Sequence, residues 1–99
     1  MFDFMDMASN HEDRVVDNFK KDKIIVDTCM VTDSDQPFET GVSHPAWNNS
    51  AWVIVEMYLT KTEAQAGHNK WVKIITADVL PKKLVDVSTS TIKKIYDFI

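Results

Sequence analysis

Residues 51–78, AWVIVEMYLTKTEAQAGHNKWVKIITAD, decide the fold of this chain. The first part is rich in β-branched and aromatic residues, which predicts a strand over residues 52–59. Directly after it, Thr60 and Glu63 have the spacing of a capping box, the signal of a helix start. We therefore expect a strand that leads without a loop into an amphipathic helix over residues 61 to about 77.

The helix is predicted to bury one face. Small, apolar and aromatic residues recur along it at intervals of three and four, which is the period of one helical face. His68 lies on or beside this face and is expected to be a hydrogen-bonded core histidine. The apolar face of the strand is expected to meet the helix, and it consists of Val53, Val55, Met57 and Leu59. The opposite face is mixed and consists of Trp52, Ile54, Glu56 and Tyr58.

The other elements are predicted to complete an α+β domain. Arg14–Phe19 and Ile24–Val31 are expected to form a hairpin of strands, followed by a short strand over Phe38–Ser43. The result is an antiparallel sheet of about four strands, covered on one face by the main helix. After the polar cluster Ser88–Thr91, a short C-terminal helix is expected, with its shared face formed by Ile92, Ile95, Tyr96 and Ile99.

The length of 99 residues fits a single domain. Within it we expect an N-terminal arm over residues 1–12, a sheet-plus-helix core over residues 13–78, and a C-terminal extension with the short helix over residues 79–99. One cysteine excludes an internal disulfide. No run of 18 apolar residues and no secretory leader is visible, so a protein without a membrane span is expected.

Charge is distributed unevenly along the chain. Residues 1–60 carry eleven acidic and four basic side chains, whereas residues 61–99 carry four acidic and seven basic ones. The acidic half is either a solvated surface or a mimic of nucleic acid that occupies a basic groove on a partner. Because no basic stripe is present, direct nucleic-acid binding is not expected.

No catalytic or metal-binding pattern is found. The soft and imidazole ligands are Cys29, His11, His44 and His68, and their spacings do not match those of zinc sites. The two glycines lie 26 positions apart and cannot form a phosphate-binding loop. We therefore predict no catalytic residue, no cofactor and no metal, and a protein that is not an enzyme.

Three segments are candidates for contact with a protein partner. The first is the apolar N-terminus with Phe2, Phe4 and Met5, and the second is the long loop 44–50 with His44 and Trp47. The third is the C-terminal segment with Ile92, Ile95 and Tyr96. Each has a structural alternative, since the termini can pack on the domain itself and His44 can cap its own loop. A homodimer through the mixed sheet face that bears Trp52, Ile54 and Tyr58 is also compatible with the sequence.

Three runs of the sequence carry a resemblance, and they are Pro37–Pro45, Trp52–Tyr58 and Thr60–Val72. They resemble a group of small uncharacterised proteins encoded by bacteriophages and prophages. The resemblance covers about Asp13 to Val87, and its most specific parts are the Glu-Ala-Gln, Gly-His and Lys-Trp-Val elements of the helix. It implies a phage origin, with the virion or the host cytoplasm as the place of action, and no activity or site residue.

These observations predict a non-enzymatic phage protein that works through protein–protein contacts, most simply as a small structural or accessory component of the virion. The alternative is an acidic inhibitor of a host defence protein or of a protein that handles nucleic acid.

Overall fold

The computed structural model describes residues 14–31, 35–88 and 93–99. The predicted arm with Phe2, Phe4 and Met5 lies outside these ranges, as does Ile92. Within them the chain forms six strands and one main helix, in the order β1 (Val15–Lys21), β2 (Ile24–Met30), β3 (Phe38–Ser43), β4 (Val53–Tyr58), α1 (Lys61–Thr76), β5 (Lys83–Asp86) and β6 (Lys94–Asp97).

The first four strands form an antiparallel sheet whose spatial order β1-β2-β3-β4 is also their order in the chain. Val26 lies opposite Val42, and Thr28 lies opposite Thr40. The helix α1 contacts all four strands, so it covers one face of the sheet. The predicted α+β class, with four strands and one covering helix, is confirmed.

The helix begins where the sequence predicts. The backbone N–H of Glu63 donates to Thr60 Oγ1 at 3.1 Å, and the backbone N–H of Thr60 donates to Glu63 Oε1 at 3.2 Å. Both halves of the capping box are present, and together they provide acceptors for two backbone donors at the helix start. The direct passage from β4 into α1 follows from this local chemistry.

The core lies between the sheet and the helix. Its largest buried side chain is the indole of Trp47, which comes from the loop between β3 and β4 rather than from a strand or the helix. Leu84 of β5 is also buried, so the C-terminal part of the chain contributes to the same core. The other buried members are Val26, Val42, Val53, Val55 and Ile75.

A bulge in β4 reverses the faces that the sequence predicts for its second half. Thr40 pairs with Glu56 and Gly41 pairs with Ile54, so Val55 is an extra residue on β4. Beyond the bulge, Glu56 and Tyr58 therefore face the helix. The prediction that Met57 and Leu59 would do so is wrong, because one extra residue inverts the alternation of every side chain after it.

The predicted short C-terminal helix is also wrong. This segment forms β6, which pairs with β5 in an antiparallel hairpin, with Val85 opposite Ile95 and Leu84 opposite Tyr96. In a strand, neighbouring side chains point to opposite faces, so Ile95 and Tyr96 do not share the side that the helical spacing assigned to them. Pairing with a strand that lies earlier in the chain decides the structure of this short segment.

The loop between β3 and β4 makes a left-handed turn. Asn48, Asn49 and Ser50 have φ values of 52°, 50° and 69°, in a region that asparagine tolerates better than most residues. The hydroxyl of Ser43 donates to the carbonyl of Ser50 at 2.6 Å and stabilises the turn. This path directs the Trp47 side chain into the core.

Candidate functional site

The structure brings two of the three predicted contact segments together. The rings of His44 and Trp47 lie 4.8 Å apart in an edge-to-face arrangement, and the ring of Phe98 lies 5.3 Å from Trp47 on the C-terminal side. The backbone N–H of Ile99 donates to the carbonyl of Ala46 at 3.1 Å. The C-terminal segment is thus docked on the loop 44–50.

This contact places the predicted residues in different environments. Trp47 is 1% exposed, so its side chain belongs to the core. His44 is half-buried, and its Nδ1 accepts a hydrogen bond from the backbone N–H of Ala46 at 2.9 Å, as the structural alternative for this loop predicts. Tyr96 packs against the core on the inner face of the hairpin, while Ile95 is 57% exposed on the outer face.

Sequence reasoning missed the residue that faces Ile95. Val85 is its cross-strand neighbour, and its side chain is also exposed. We call this exposed apolar pair, Val85 and Ile95, the hairpin surface. The salt bridge between Lys83 and Asp97, at 3.4 Å, lies at its border. Charge complementarity in the sequence indicates this strand pairing. Lys83 lies opposite Asp97, and Asp86 lies opposite Lys94.

A second group of functional interest is a chain of polar side chains buried between the sheet and α1. His68 Nδ1 lies 2.7 Å from the hydroxyl of Thr28, which lies 2.6 Å from the hydroxyl of Thr40. The next member is Tyr58, whose hydroxyl lies 3.0 Å from that of Thr40 and donates to Glu56 Oε1 at 3.2 Å. We call this series, from His68 to Glu56, the polar chain.

Each end of the polar chain opens into a cavity. At one end, His68 and Asp17 line a cavity of about 360 Å³, in which His68 Nε2 lies 3.8 Å from Asp17 Oδ2. At the other end, Glu56, Tyr58 and Lys70 line a groove of about 420 Å³. The polar chain therefore connects the cavity beside Asp17 with the groove beside Lys70.

Glu56 is the most heavily bonded acceptor in this region. Its Oε1 receives the indole N–H of Trp71 at 2.8 Å and the ammonium of Lys70 at 2.6 Å, in addition to the hydroxyl of Tyr58. Burial acts to raise the pKa of Glu56, but the hydrogen bonds from Lys70 and Trp71 outweigh it and lower the pKa below its usual value. The carboxylate is therefore held in its charged, acceptor-only form.

Two side chains with a nucleophilic atom, Tyr58 in the polar chain and Cys29 on the sheet face away from the helix, are not activated. Burial raises the pKa of the Tyr58 hydroxyl to about 12 and that of the Cys29 thiol to about 11, so both stay protonated at neutral pH. An activated nucleophile has the opposite shift. The polar chain is therefore better suited to positioning hydrogen bonds than to nucleophilic chemistry.

Within the described residues, no group of three or more histidine, cysteine, aspartate or glutamate side chains is arranged to hold a metal ion. The same part of the chain contains no helix that is both long and apolar enough to span a membrane.

Comparison of the chain with protein-family models, with curated proteins and with solved structures found no match.

The stability of the protein is expected to fall as the pH is lowered from about 7.5 to about 5.5. Burial lowers the pKa of His68 below its ordinary value of 6.5, against the opposing charges of Asp17 and Asp27. The unfolded chain then binds more protons than the native one between these two pKa values, so acid favours unfolding there. Burial also lowers the pKa of His44, which contributes in the same direction. The carboxylates of Asp17 and Glu56, whose pKa values are lowered, add their effect only below about pH 4.5.

Urea denaturation at several pH values tests this expectation. His68→Gln should show a smaller loss of unfolding free energy over the same pH interval than the unsubstituted protein, with the remainder due in part to His44. An identical pH dependence in the two proteins would contradict the prediction. The comparison uses the change with pH, so an overall loss of stability in the variant does not affect it.

Proposed function

We propose that the protein is a non-enzymatic bacteriophage protein that acts through protein–protein contacts, as a small structural or accessory component of the virion. The observation that carries the contact role is the hairpin surface. Val85 and Ile95 are 38% and 57% exposed on a strand pair that is anchored to the core by Leu84 and Tyr96. Apolar side chains held rigidly at a surface and bordered by charges favour contact with another protein.

Two further features support a binding role. The Tyr58 hydroxyl and the Cys29 thiol have raised pKa values, which is the opposite of what nucleophilic catalysis requires. The resemblance of the helix and its preceding strand to small phage proteins supports the phage assignment and, with it, the virion or the host cytoplasm as the location. The partner is then another phage protein of the particle, or a further copy of this chain.

Mass spectrometry of gradient-purified phage particles tests the virion role. We expect the protein in a fixed number of copies per particle. Its absence from particles, together with abundant protein in the infected cytoplasm, would overturn the proposal and favour the acidic inhibitor of a host protein. Binding by that inhibitor would weaken strongly with salt, because charge–charge attraction is screened.

A matched pair of variants tests the hairpin surface itself. The double variant Val85→Thr and Ile95→Thr keeps β-branched residues in both strands but replaces the apolar surface, and we expect at least a tenfold drop in copies per particle. The control Val79→Thr changes a residue that is 86% exposed outside the hairpin and should leave the copy number unchanged. Equal incorporation of both variants would exclude the hairpin surface as the contact.

A further inference from the structure

The donor of each hydrogen bond in the polar chain can be worked out, because each hydroxyl group has a single proton. Thr28, Thr40 and Tyr58 each donate one hydrogen bond and accept others. A series of such groups, each bonded to the next, must therefore donate in one common direction. The two ends of the polar chain, His68 and Glu56, decide which direction that is.

At the Glu56 end the direction is set by the carboxylate. Glu56 is ionised and can only accept, and its Oε1 lies 3.2 Å from the Tyr58 hydroxyl, within hydrogen-bond range. Tyr58 therefore donates to Glu56, and its oxygen accepts from Thr40. Thr40 in turn accepts from Thr28, whose own proton is used in that bond. The Thr28 oxygen is left to accept from His68 Nδ1, at 2.7 Å.

We propose that these three hydroxyls form a one-way hydrogen-bond relay that places the proton of neutral His68 on Nδ1 and leaves Nε2 as an acceptor facing Asp17. The reverse direction would put the proton on Nε2, toward a carboxylate oxygen that lies 3.8 Å away. That distance is too long for a hydrogen bond, whereas reversal would remove the bond from Tyr58 to Glu56. The geometry thus favours the forward direction.

The charged and titratable groups around His68 are consistent with this assignment. Asp17 of β1 lies beside Nε2, but its Oδ2 already accepts from Gln65 at 2.9 Å. Asp27 of β2 adds a negative charge, and Lys73 of α1 lines the same cavity. β3 contributes only the hydroxyl of Thr40 to the relay. β4 contributes the hydroxyl of Tyr58 and the carboxylate of Glu56.

The relay makes the two cavities chemically dependent on each other. While Glu56 is ionised, the wall of the Asp17 cavity presents two acceptors, the imidazole Nε2 and the carboxylate. That arrangement suits a ligand or water that donates hydrogen bonds. Protonation of the Glu56 carboxylate removes the acceptor that sets the forward direction of the relay. A change of charge in the groove beside Lys70 therefore changes whether His68 Nε2 accepts or donates in the cavity beside Asp17.

Two variants reverse the relay in a predictable way. Thr40→Val removes the acceptor of the Thr28 proton, and Tyr58→Phe removes the acceptor of the Thr40 proton. In each variant the proton that has lost its acceptor regains one within the polar chain only if the remaining hydroxyls donate toward His68 Nδ1, which moves the histidine proton to Nε2. Thr76→Val is the matched control, because the Thr76 hydroxyl donates to the carbonyl of Val72 and takes no part in the relay.

Long-range ¹H–¹⁵N NMR correlation of the imidazole nitrogens of His68 distinguishes its two tautomers. The measurement is made at about pH 8, where histidine is neutral. We expect mainly the Nδ1–H form in the unsubstituted protein and in Thr76→Val, and mainly the Nε2–H form in Thr40→Val and Tyr58→Phe. A mainly Nε2–H form in the unsubstituted protein would overturn the proposal, and that measurement needs no variant to fold. Persistence of the Nδ1–H form in a folded relay variant would overturn it as well.

Discussion

Replacing Trp47 with alanine is expected to lower the free energy of unfolding by about 3 to 5 kcal/mol, the usual range for removing a fully buried large aromatic side chain. Trp47 is 1% exposed, and its ring makes edge-to-face contacts with the rings of His44 and Phe98. Removal of the indole leaves a cavity in the core. It also removes the ring on which Phe98 of the C-terminal segment packs. Urea denaturation followed by circular dichroism measures the change.

The chain offers a matched control in Trp52. This second tryptophan is 49% exposed on the sheet face away from the helix, so Trp52→Ala should cost no more than about 1 kcal/mol. The indole N–H of Trp47 is buried and has no hydrogen-bond partner within the described ranges, which places the expected loss for Trp47→Ala toward the lower end. Equal destabilisation by the two substitutions would contradict the buried position of Trp47.

Gly67→Ala is expected to destabilise the protein by about 2 kcal/mol, although alanine is a better helix former than glycine by about 1 kcal/mol. A Cβ atom at Gly67 would overlap the hydroxyl and ring atoms of Tyr58. Tyr58 is 7% exposed and bonded to Thr40 and Glu56, so its ring cannot move aside without breaking the polar chain. Thermal or urea unfolding measures the effect.

The neighbouring position separates helix propensity from packing. Ala66 is exposed on the same helix, and Ala66→Gly should cost about 1 kcal/mol through propensity alone. If Tyr58 left room for a Cβ atom at residue 67, Gly67→Ala would stabilise the helix by a similar amount. A stabilising effect of Gly67→Ala would therefore contradict the close contact between Tyr58 and α1.

The elements that the sequence predicts correctly are those with strong local signals. The capping box of Thr60 and Glu63 starts the helix at Lys61, and the helix ends at Thr76, next to the predicted end near Ala77. The strands β1 to β4 lie within two residues of their predicted bounds. In each case hydrophobic period, turn residues and capping chemistry within a short window decide the structure.

The two errors both arise from contacts between distant parts of the chain. The bulge at Val55 depends on how β4 meets β3, and no residue of β4 alone indicates it. The spacing of Ile95, Tyr96 and Ile99 is compatible with a helix, but pairing with β5 makes the segment a strand. Short apolar segments are ambiguous in this way until their partner is known.

The polar chain was visible in the sequence only in part. His68 was correctly predicted as a hydrogen-bonded core histidine, since it is 2% exposed and bonded to Thr28. Thr28 and Thr40 interrupt otherwise apolar rows on their strands, which is a signal of a buried polar contact. Their register across the sheet, and the reversal that turns Tyr58 and Glu56 toward them, required the structure.

The agreement between chain order and strand order in the main sheet has a consequence for how the protein folds. Each of these strands pairs with its sequence neighbour, so the sheet assembles from contacts of short range, which form quickly. The bond from Ile99 to Ala46 instead closes a loop on the order of fifty residues, at a greater entropic cost. We expect the sheet to be formed in the transition state and the C-terminal hairpin to join afterwards.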